Sequence, residues 1–400
     1  MVSSDRAHAR VHTRGVSTVP SSVRRAQVPA RDPDQLADAL AAALTPRAGE
    51  LILVFVDSAL DPERVAPALA RALAPAAVVG CTSSGEIAGP VTTGTAVAVA
   101  FGPPGCRFGF ELAARLSSGP MRAGQGAVAR AIAQLGLTPD ELDPRRHVVL
   151  TLHDGHAHSA EAFCLGTAAT APRISFVGGV ASHAIESPLP PAVFAGGLAH
   201  RDAGVVIVLD SALPFEVITS EHMAPTPLRV VVTGADATGR LIHELDGYPA
   251  AARWSALVAS LGAEPPITNA TAARFPFATY IGEKAYVRSI VDVGPVSLRV
   301  AAAVDEGAVL RIMQAGDLVA STRAALDGVC ARLGPPSAVI AFSCVARHTE
   351  ADDRGDRAAL DQIYAALPLC GFHSFGEQVG PLLVNHTLAA LVLAQPQPQP

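Results

Sequence analysis

The sequence predicts an α/β fold with mixed sheets and flanking helices. Three segments of the chain, beginning near residues 51, 147 and 338, share one order of elements. In each, an apolar strand is followed by a helix, a short strand that ends in glycine, a polar turn and another apolar strand. A polar turn motif is also repeated near the two ends of the chain, which indicates duplicated structure. We therefore expect two related halves, each made of β-α-β-turn-β units.

The first unit starts at residues 51–56, LILVFV, whose unbroken apolar run predicts a fully buried strand. Asp61 and Pro62 then begin a helix, because Asp caps free backbone amides and Pro fits the first helical turn. A short strand at 77–79 and an apolar strand at 95–101 complete the unit. Together these elements predict a small sheet with a helix packed on it.

Two further segments repeat this order. The predicted strands are 147–152, 174–177, 338–344 and 386–393, and the predicted helices are 159–169 and 357–367. Residues 192–195 and 204–209 are predicted to pair as a hairpin. The same alternation of strand and helix over three segments favours an α/β protein over an all-β one.

The repeated motif relates the two ends of the chain directly. Residues 80–90 read GCTSSGEIAGP, and residues 371–381 read GFHSFGEQVGP. The identical positions include a serine and a glutamate, which are Ser83 and Glu86 in the first copy and Ser374 and Glu377 in the second. Both copies follow a predicted strand, so they are predicted to occupy equivalent places in related units.

The middle of the chain has a different pattern. Predicted strands cover 228–234, 240–245, 277–281, 286–293 and 296–303, and predicted helices cover 248–261 and 316–333. Prolines near residues 214–227 interrupt the pattern and suggest a boundary. We expect an N-terminal domain at 16–212 and a C-terminal domain at 213–394, between a disordered start at 1–15 and a disordered tail at 395–400.

Composition excludes several classes of protein. The 400 residues are 50% hydrophobic and 16% charged, with a net charge of −6 and no cluster of basic residues, so no nucleic-acid partner is expected. The single lysine, Lys284, lies outside any P-loop pattern. No apolar run reaches membrane-spanning length, so we expect no membrane insertion. The six cysteines contain no C-x-x-C pair, which favours a reducing, cytoplasmic setting. An Arg-rich start leaves a targeting segment open.

An ordered set of motifs resembles the FIST-domain family, with both its N-terminal and C-terminal parts in a stand-alone arrangement. The motifs are VGCTSSGEIAG at 79–89, FVGGVAS at 176–182, ELDGYPAA at 244–251, VRSI at 287–290, AFSCVAR at 341–347, GFHSFGE at 371–377 and NHTL at 385–388. The resemblance implies a non-enzymatic sensor of a small molecule, amino acids being the proposed class. It also implies signalling through a separate partner, such as a histidine kinase, because the chain has no output domain. Some similar members bind haem and sense nitric oxide, which is the alternative.

The candidate ligand-binding residues lie mainly in the second half. Arg288 and Arg347 are charged residues in or just after apolar strands, where each needs an ion partner or a ligand carboxylate. Ser374 and Glu377 follow a strand end, where α/β proteins bind ligands, with His373 beside them. The equivalent Ser83 and Glu86 are candidates on the same ground. For all of these residues, a structural ion pair or turn cap is the alternative role.

Histidines supply the candidate metal and haem ligands. His153, His156 and His158 lie in one turn with spacings that suit zinc or iron, although three histidines at a polar strand-to-helix turn are more often solvated. His373 and His386 are the candidates for a haem axial ligand. Nucleophilic catalysis has little support, because the cysteines lie in apolar segments and the serines lack the G-x-S-x-G elbow. No catalytic residue is predicted.

Overall fold

The computed structural model describes residues 23–155, 159–184 and 187–396, and the statements below refer to these residues. The strands of the N-terminal part are β1 (Val23–Pro29), β2 (Leu51–Asp57), β3 (Ala77–Ser83), β4 (Glu86–Ile87), β5 (Val91–Thr92), β6 (Thr95–Phe101), β7 (Cys106–Ala114), β8 (His147–His153), β9 (Ser175–Val180), β10 (Val193–Ala195), β11 (Leu198–His200) and β12 (Ala203–Ser211).

The strands of the C-terminal part are β13 (Phe215–Ser220), β14 (Met223–Ala235), β15 (Leu241–Leu245), β16 (Tyr248–Pro249), β17 (Phe277–Ile281), β18 (Lys284–Arg288), β19 (Ile290–Val293), β20 (Leu298–Val300), β21 (Val309–Ala315), β22 (Pro336–Cys344), β23 (Leu369–Ser374), β24 (Glu377–Val379), β25 (Leu382–Val384) and β26 (Leu388–Ala394). The α-helices are α1 (Pro33–Leu44), α2 (Pro62–Ala72), α3 (Pro120–Gln134), α4 (Ala160–Thr170), α5 (Ala250–Ser260), α6 (Asn269–Arg274), α7 (Leu318–Leu333), α8 (Val345–Arg354) and α9 (Arg357–Ala365). Within the described ranges, no helix combines the length and hydrophobicity needed to cross a membrane.

Three six-stranded sheets share one strand order. Their orders are β1-β6-β2-β3-β10-β11, β7-β12-β8-β9-β24-β25 and β13-β26-β22-β23-β4-β5. In each sheet the third and fourth strands are parallel, and the remaining pairs are antiparallel. The predicted α/β class with mixed sheets and flanking helices is confirmed. The unit occurs three times: a first unit at 23–101, a second at 106–211, and a third at 215–220 and 336–394.

Each sheet is completed by a hairpin from another unit. Hairpin β4–β5 of the first unit pairs with β23 of the third, and β24–β25 of the third pairs with β9 of the second. Hairpin β10–β11 of the second unit pairs with β3 of the first, which closes the ring. The prediction that 192–195 and 204–209 form a hairpin is therefore wrong. These segments lie in different sheets, because β10 leaves its own unit.

Three glycines hold equivalent places in the parallel strand pairs. Gly80, Gly178 and Gly371 lie opposite Val54, Thr151 and Ala341 respectively. A Cβ at any of these glycines would overlap the carbonyl oxygen of the residue opposite. The close approach of the paired strands at these points therefore requires glycine. This requirement also accounts for the glycine at the end of each short strand that the sequence predicts.

One apolar core fills the space between the three sheets. Phe55 of the first unit packs against Phe342 and Phe372 of the third, with ring centroids 6.2 and 4.6 Å away. Leu150 and Ile207 extend this core into the second unit. The outer face of each sheet is covered by its own helices, which form three further apolar clusters. The central core therefore makes the three units one folded body rather than separate halves.

A fourth sheet lies in the chain between β13 and α7. It contains β14 to β21 and packs one face against α5, where Trp254 is fully buried and its indole nitrogen donates to the carbonyl of Phe275 at 3.2 Å. The strands predicted at 228–234, 240–245 and 277–281 are confirmed, whereas the segment predicted as one strand at 286–293 forms β18 and β19, and β21 was not predicted. This sheet packs beside α4 and α8 and so borders the ends of the second and third units.

The close approach of the paired strands at these glycines predicts how a larger residue there changes the stability of the protein. We expect Gly178→Ala to lower the free energy of unfolding by about 1–3 kcal/mol, because the added methyl group must push paired strands apart. Gly328→Ala, inside α7 and close only to the flexible Arg332 side chain, is the control and should stabilise the protein slightly. Urea denaturation measures both. An unchanged midpoint for Gly178→Ala would contradict the packing described for these strands.

Candidate ligand-binding site

A narrow cleft lies between α8, α9 and the ends of β22 and β23. Its cavity volume is only about 10 Å³. Its lining residues are Val91, Ser343, Arg347, His348, Ala351, Arg357, Leu360, Asp361, Tyr364 and His373. The cleft is at the carboxyl ends of parallel strands, where α/β proteins commonly bind ligands. It brings together two of the predicted ligand-binding residues, Arg347 and His373.

Arg347 is buried in the first turn of α8 with 1% of its surface exposed. The helix begins directly after β22, with no intervening loop, which carries the side chain into the cleft. Nη2 donates to Thr322 Oγ1 at 2.6 Å, and Nη1 lies 3.5 Å from the carbonyl of Ser220 and 3.4 Å from Nδ1 of His222. These partners come from α7, from the end of β13 and from the link between β13 and β14, so the guanidinium is contacted by residues from separate parts of the chain.

The guanidinium of Arg347 has no carboxylate partner. No Asp or Glu of the described chain lies within ion-pair distance of it, and its buried Nε–H makes no hydrogen bond. Other arginines here place Nε and Nη2 together against one carboxylate, namely Arg107, Arg146 and Arg332. A cation this deeply buried is costly without a counter-ion. Its free Nε–H suits a ligand carboxylate.

Two stacked histidine rings form another wall of the cleft. The ring centroids of His348 and His373 are 4.4 Å apart. Burial, with the neighbouring His348 a smaller cause, lowers the pKa of His373 to about 3, and burial also lowers the pKa of His348. Neither ring nitrogen of His373 makes a hydrogen bond of normal geometry. Both rings are therefore neutral at pH 7, and Arg347 remains the buried positive charge.

His222 connects Arg347 to a carboxylate behind it. Its Nε2 lies 2.6 Å from Oε2 of Glu350, while its Nδ1 faces Arg347. Glu350 also accepts from Arg354 at 2.9 Å. Burial lowers the pKa of His222. A neutral ring that donates from Nε2 and accepts at Nδ1 satisfies both neighbours, so this chain orients the guanidinium without neutralising it.

The turn before β26 adds further buried polar groups. His386 holds a left-handed conformation with φ of 59°, which non-glycine residues rarely adopt. It is 1% exposed, and burial lowers its pKa well below the ordinary value. Both polar atoms of the Asn385 side chain and both ring nitrogens of His386 lack partners. Buried polar groups without partners are uncommon, and these groups have free capacity to bond a ligand or a bound water.

The two repeated motifs form matching internal hydrogen-bond groups. Ser374 donates to Glu377 at 2.5 Å, and Thr387 donates to its other oxygen at 2.6 Å. In the first unit, Glu86 accepts from Ser83 and, at 2.8 Å, from Thr95. Glu86 therefore links the start of hairpin β4–β5 to the start of β6, and Glu377 links the start of hairpin β24–β25 to the start of β26. In each case the hairpin pairs with another unit, whereas the linked strand stays in its own unit.

Both glutamates are fully buried, and burial is the main reason that the pKa of each rises to about 8. The hydroxyls of their serine and threonine partners oppose this rise but do not cancel it. At neutral pH each carboxyl group is therefore largely protonated. This geometry matches the turn-capping alternative named for Ser83, Glu86, Ser374 and Glu377, whose role as ligand contacts stays a prediction.

Arg288 lies apart from the cleft. It ends β18 in the fourth sheet, and the charges that act on it belong to Glu161 and Arg240. No contact between Arg288 and Arg347 is described. Neither arginine forms an ion pair with Glu377 or Glu283 in the part of the chain that the structure covers. The five predicted residues of the second half therefore do not converge on one point.

The candidate ligands that lie within the described ranges do not assemble a metal or haem site. Among the described residues, no group of three or more His, Cys, Asp or Glu side chains could hold a metal ion. His153 is fully buried against Phe163, and burial lowers its pKa to about 4, whereas His156 and His158 lie outside the described residues. The cleft beside His373 is charged, and its volume of about 10 Å³ is far below the roughly 300–1,000 Å³ of typical small-molecule pockets, so it does not fit haem.

Sequence reasoning missed most of the cleft wall. Helix α8, which carries Arg347 and His348, was not predicted, because its residues are largely polar and show no apolar stripe. Helix α9 was predicted, and four of its residues line the cleft at helical spacing: Arg357, Leu360, Asp361 and Tyr364. That spacing places them on one helix face and was the available signal. His222 and Thr322 are distant in sequence and gave no signal.

Comparison with known proteins agrees with the motifs in the sequence. The family model described as the FIST N domain matches residues 50–248, and the one described as the FIST C domain matches residues 250–380. The cleft lies at strand ends and is lined by buried charged groups, and both matches are to domains of one family. Together these findings place the chain in a ligand-binding class of α/β proteins. The chain belongs to the FIST family.

Other comparisons add little. A search of curated proteins finds no match. Among solved structures, the chain resembles a cyanuric acid hydrolase from A. caulinodans at 12% identity, with 94% of this chain and 99% of that chain covered. The TM-score is 0.39, which is too low to support any conclusion about fold or activity.

The buried glutamates predict a pH dependence of stability. Because folding raises their pKa from about 4.5 to about 8, the folded state binds more protons between these values, and their contribution to stability falls as pH rises through this window. The Glu86→Gln/Glu377→Gln variant cannot titrate there. Relative to that variant, we expect the wild type to lose free energy of unfolding between pH 5 and pH 8, measured by urea denaturation. Parallel pH profiles would show that these groups do not titrate as described.

Proposed function

We propose that the protein is a sensor that binds a small carboxylate-bearing metabolite, most simply an amino acid, without transforming it chemically. The observation that carries this proposal is the buried guanidinium of Arg347, which has a free Nε–H and no carboxylate partner in the described chain. Membership of the FIST family supports the sensory role, since the chain resembles sensory modules of that family.

Asp361 supports an amino acid rather than a simple acid. It lines the same cleft as Arg347, and the one hydrogen bond described to its carboxylate comes from the amide of Val91 at 3.0 Å. Its remaining lone pairs can accept from an ammonium group. Arg347 would bind the ligand carboxylate and Asp361 the ligand ammonium, with the neutral rings of His348 and His373 between them.

The proposal includes that the protein binds its ligand without catalysing a reaction. Burial raises the pKa of the Cys370 thiol to about 12 and also raises the pKa of the Cys344 thiol, so neither is an activated nucleophile. Glu377 is engaged by two hydroxyl groups and has no free position as a general base. These features favour binding over catalysis.

Signal output is proposed to occur through conformational change and a separate partner. The cleft is narrow, so a ligand enters only when α8 and α9 move away from the sheet. A ligand shifts this equilibrium by its preference for the open arrangement. The moved helices would be read in the cytoplasm by another signalling protein, such as a histidine kinase.

The carboxylate contact can be tested with a panel of the common amino acids in calorimetric titrations. We expect Arg347→Met to weaken binding of the best ligand by about 10- to 100-fold, the value of a charge-assisted hydrogen bond. Arg332→Met, which removes an exposed arginine of α7, is the matched control and should bind normally. Retained affinity in Arg347→Met would contradict the proposal.

The ammonium contact has its own test. Asp361→Asn should weaken alanine binding, for example, while leaving propionate binding unchanged, because only the amino acid carries an ammonium group. This comparison does not require replacement of a fully buried side chain. Equal losses for both ligands would show that Asp361 supports the fold of the cleft rather than ligand recognition.

A further inference from the structure

An open groove runs along β13, which is an edge strand of the third sheet. Its cavity volume is about 280 Å³, much larger than that of the cleft. Four consecutive residues of β13, 216–219, form one wall of the groove, and Ala324, Ala325 and Arg332 of α7 form the other. Because successive residues of a strand face opposite sides of a sheet, a groove lined by four of them in a row follows the edge of the strand. Backbone groups of β13 are therefore open to a binding partner.

The register of β13 shows which backbone groups face the groove. The strand pairs with β26 in an unbroken antiparallel register, and the amide of Ala394 donates to the carbonyl of Pro214 at 2.8 Å. Hydrogen-bonded pairs alternate along such a register, so every second residue of β13 bonds β26. The N–H and C=O groups that point away from β26 are those of Phe215, Val217 and Thr219. Within the described ranges these groups have no hydrogen-bond partner.

The equivalent edge in the second unit is closed by a side chain. There β7 is the edge strand and α3 is the helix beside it. The side-chain amide of Gln134 in α3 accepts from the N–H of Phe110 at 3.1 Å and donates to the carbonyl of the same residue at 2.8 Å. In the third unit Arg332 of α7 bonds the carboxylate of Glu216 at 2.6 Å instead, and so leaves the backbone of β13 open.

The other outer edges of the three six-stranded sheets are poor partners for another strand. Strands β5, β11 and β25 have only two or three residues. Strand β1 contains Arg24 and Arg25 and ends at Pro29, and charged residues and proline oppose edge-to-edge pairing. The six residues of β13, FEVITS, include no lysine, arginine or proline and are rich in good strand formers. Among these edges of the described chain, β13 is therefore the one suited to accept a strand.

We propose that β13 pairs with β13 of a second copy of this chain across a twofold axis, which joins two six-stranded sheets into one continuous sheet. The twofold axis makes the strands antiparallel and sets the outward groups of one copy opposite the same groups of the other, so donors meet acceptors. The single charge on the strand, Glu216, is already neutralised by Arg332 in each copy, so no uncompensated like charges meet. This self-complementarity favours a second copy over a strand of unrelated sequence.

Analytical ultracentrifugation of the full chain over a range of concentrations tests the pairing. We expect the wild type to show a monomer–dimer equilibrium. Thr219→Pro removes one outward N–H from each copy, a change that an edge strand tolerates. It should raise the dissociation constant of the dimer by about 5- to 100-fold, the value of two neutral hydrogen bonds. Thr219→Val, which changes the side chain and keeps the N–H, is the control and should dimerise like the wild type.

A second variant tests the groove without changing the strand. Ala324 is exposed on α7, so Ala324→Glu should leave the fold intact while it fills the groove and adds a negative charge. We expect it to raise the dissociation constant by at least about 10-fold, because like charges at an interface are costly. Ala129→Glu, at an exposed position of α3, makes the same change on the equivalent helix and should have no effect. Urea denaturation of each variant checks its fold.

Each outcome supports or overturns the pairing. Weaker dimers of Thr219→Pro and Ala324→Glu, with both controls unchanged, support it, and the Ala324→Glu comparison decides if Thr219→Pro fails to fold. A dimer that neither variant weakens has its interface elsewhere and overturns it. A wild type that stays monomeric at every concentration also overturns it. Slow hydrogen exchange at the amides of Val217 and Thr219 in that monomer would show that another segment of the same chain covers the edge.

Discussion

The exchange of hairpins between units is the constraint on which the rest of the structure depends. No unit completes its own sheet: β4–β5, β10–β11 and β24–β25 each pair with a strand of another unit. Edge strands that are paired in this way leave few open backbone groups, and all three sheets share one central apolar core. The two Ser–Glu–Thr groups lie at the start of hairpins β4–β5 and β24–β25. The motif that is repeated in the sequence therefore helps to hold the units together.

This exchange also explains why the cleft needs residues from both ends of the chain. Val91, in the hairpin that the first unit donates, lines the cleft of the third unit and donates its amide to Asp361 of α9. The position of α9 is therefore coupled to a hairpin of the first unit. Residues of both the N-terminal and the C-terminal part therefore line the cleft, and neither part forms it alone.

Buried acids and histidines without an ion partner become neutral, whereas buried arginines keep their charge and are either paired, as Arg240 is with Glu161, or left without a carboxylate. Burial keeps Glu86 and Glu377 protonated and His373 uncharged at neutral pH. Arginine cannot follow, because its guanidinium stays charged in proteins. Arg347, which is 1% exposed, is therefore the most deeply buried position where a charge persists without a carboxylate of the described chain, and Arg288 is a partly buried one.

The sequence by itself determined the α/β class, most strands and helices of the units, the family, and Arg347 and His373 as residues of interest. These follow from local apolar periodicity and from motifs, which need no knowledge of distant contacts. Only the tertiary structure decided that the unit occurs three times, that residues 193–195 leave their own sheet, and that Arg288 and Arg347 belong to different places. Hairpin exchange and charge pairing join residues that are far apart in the chain, and local sequence patterns do not show which distant residues will meet.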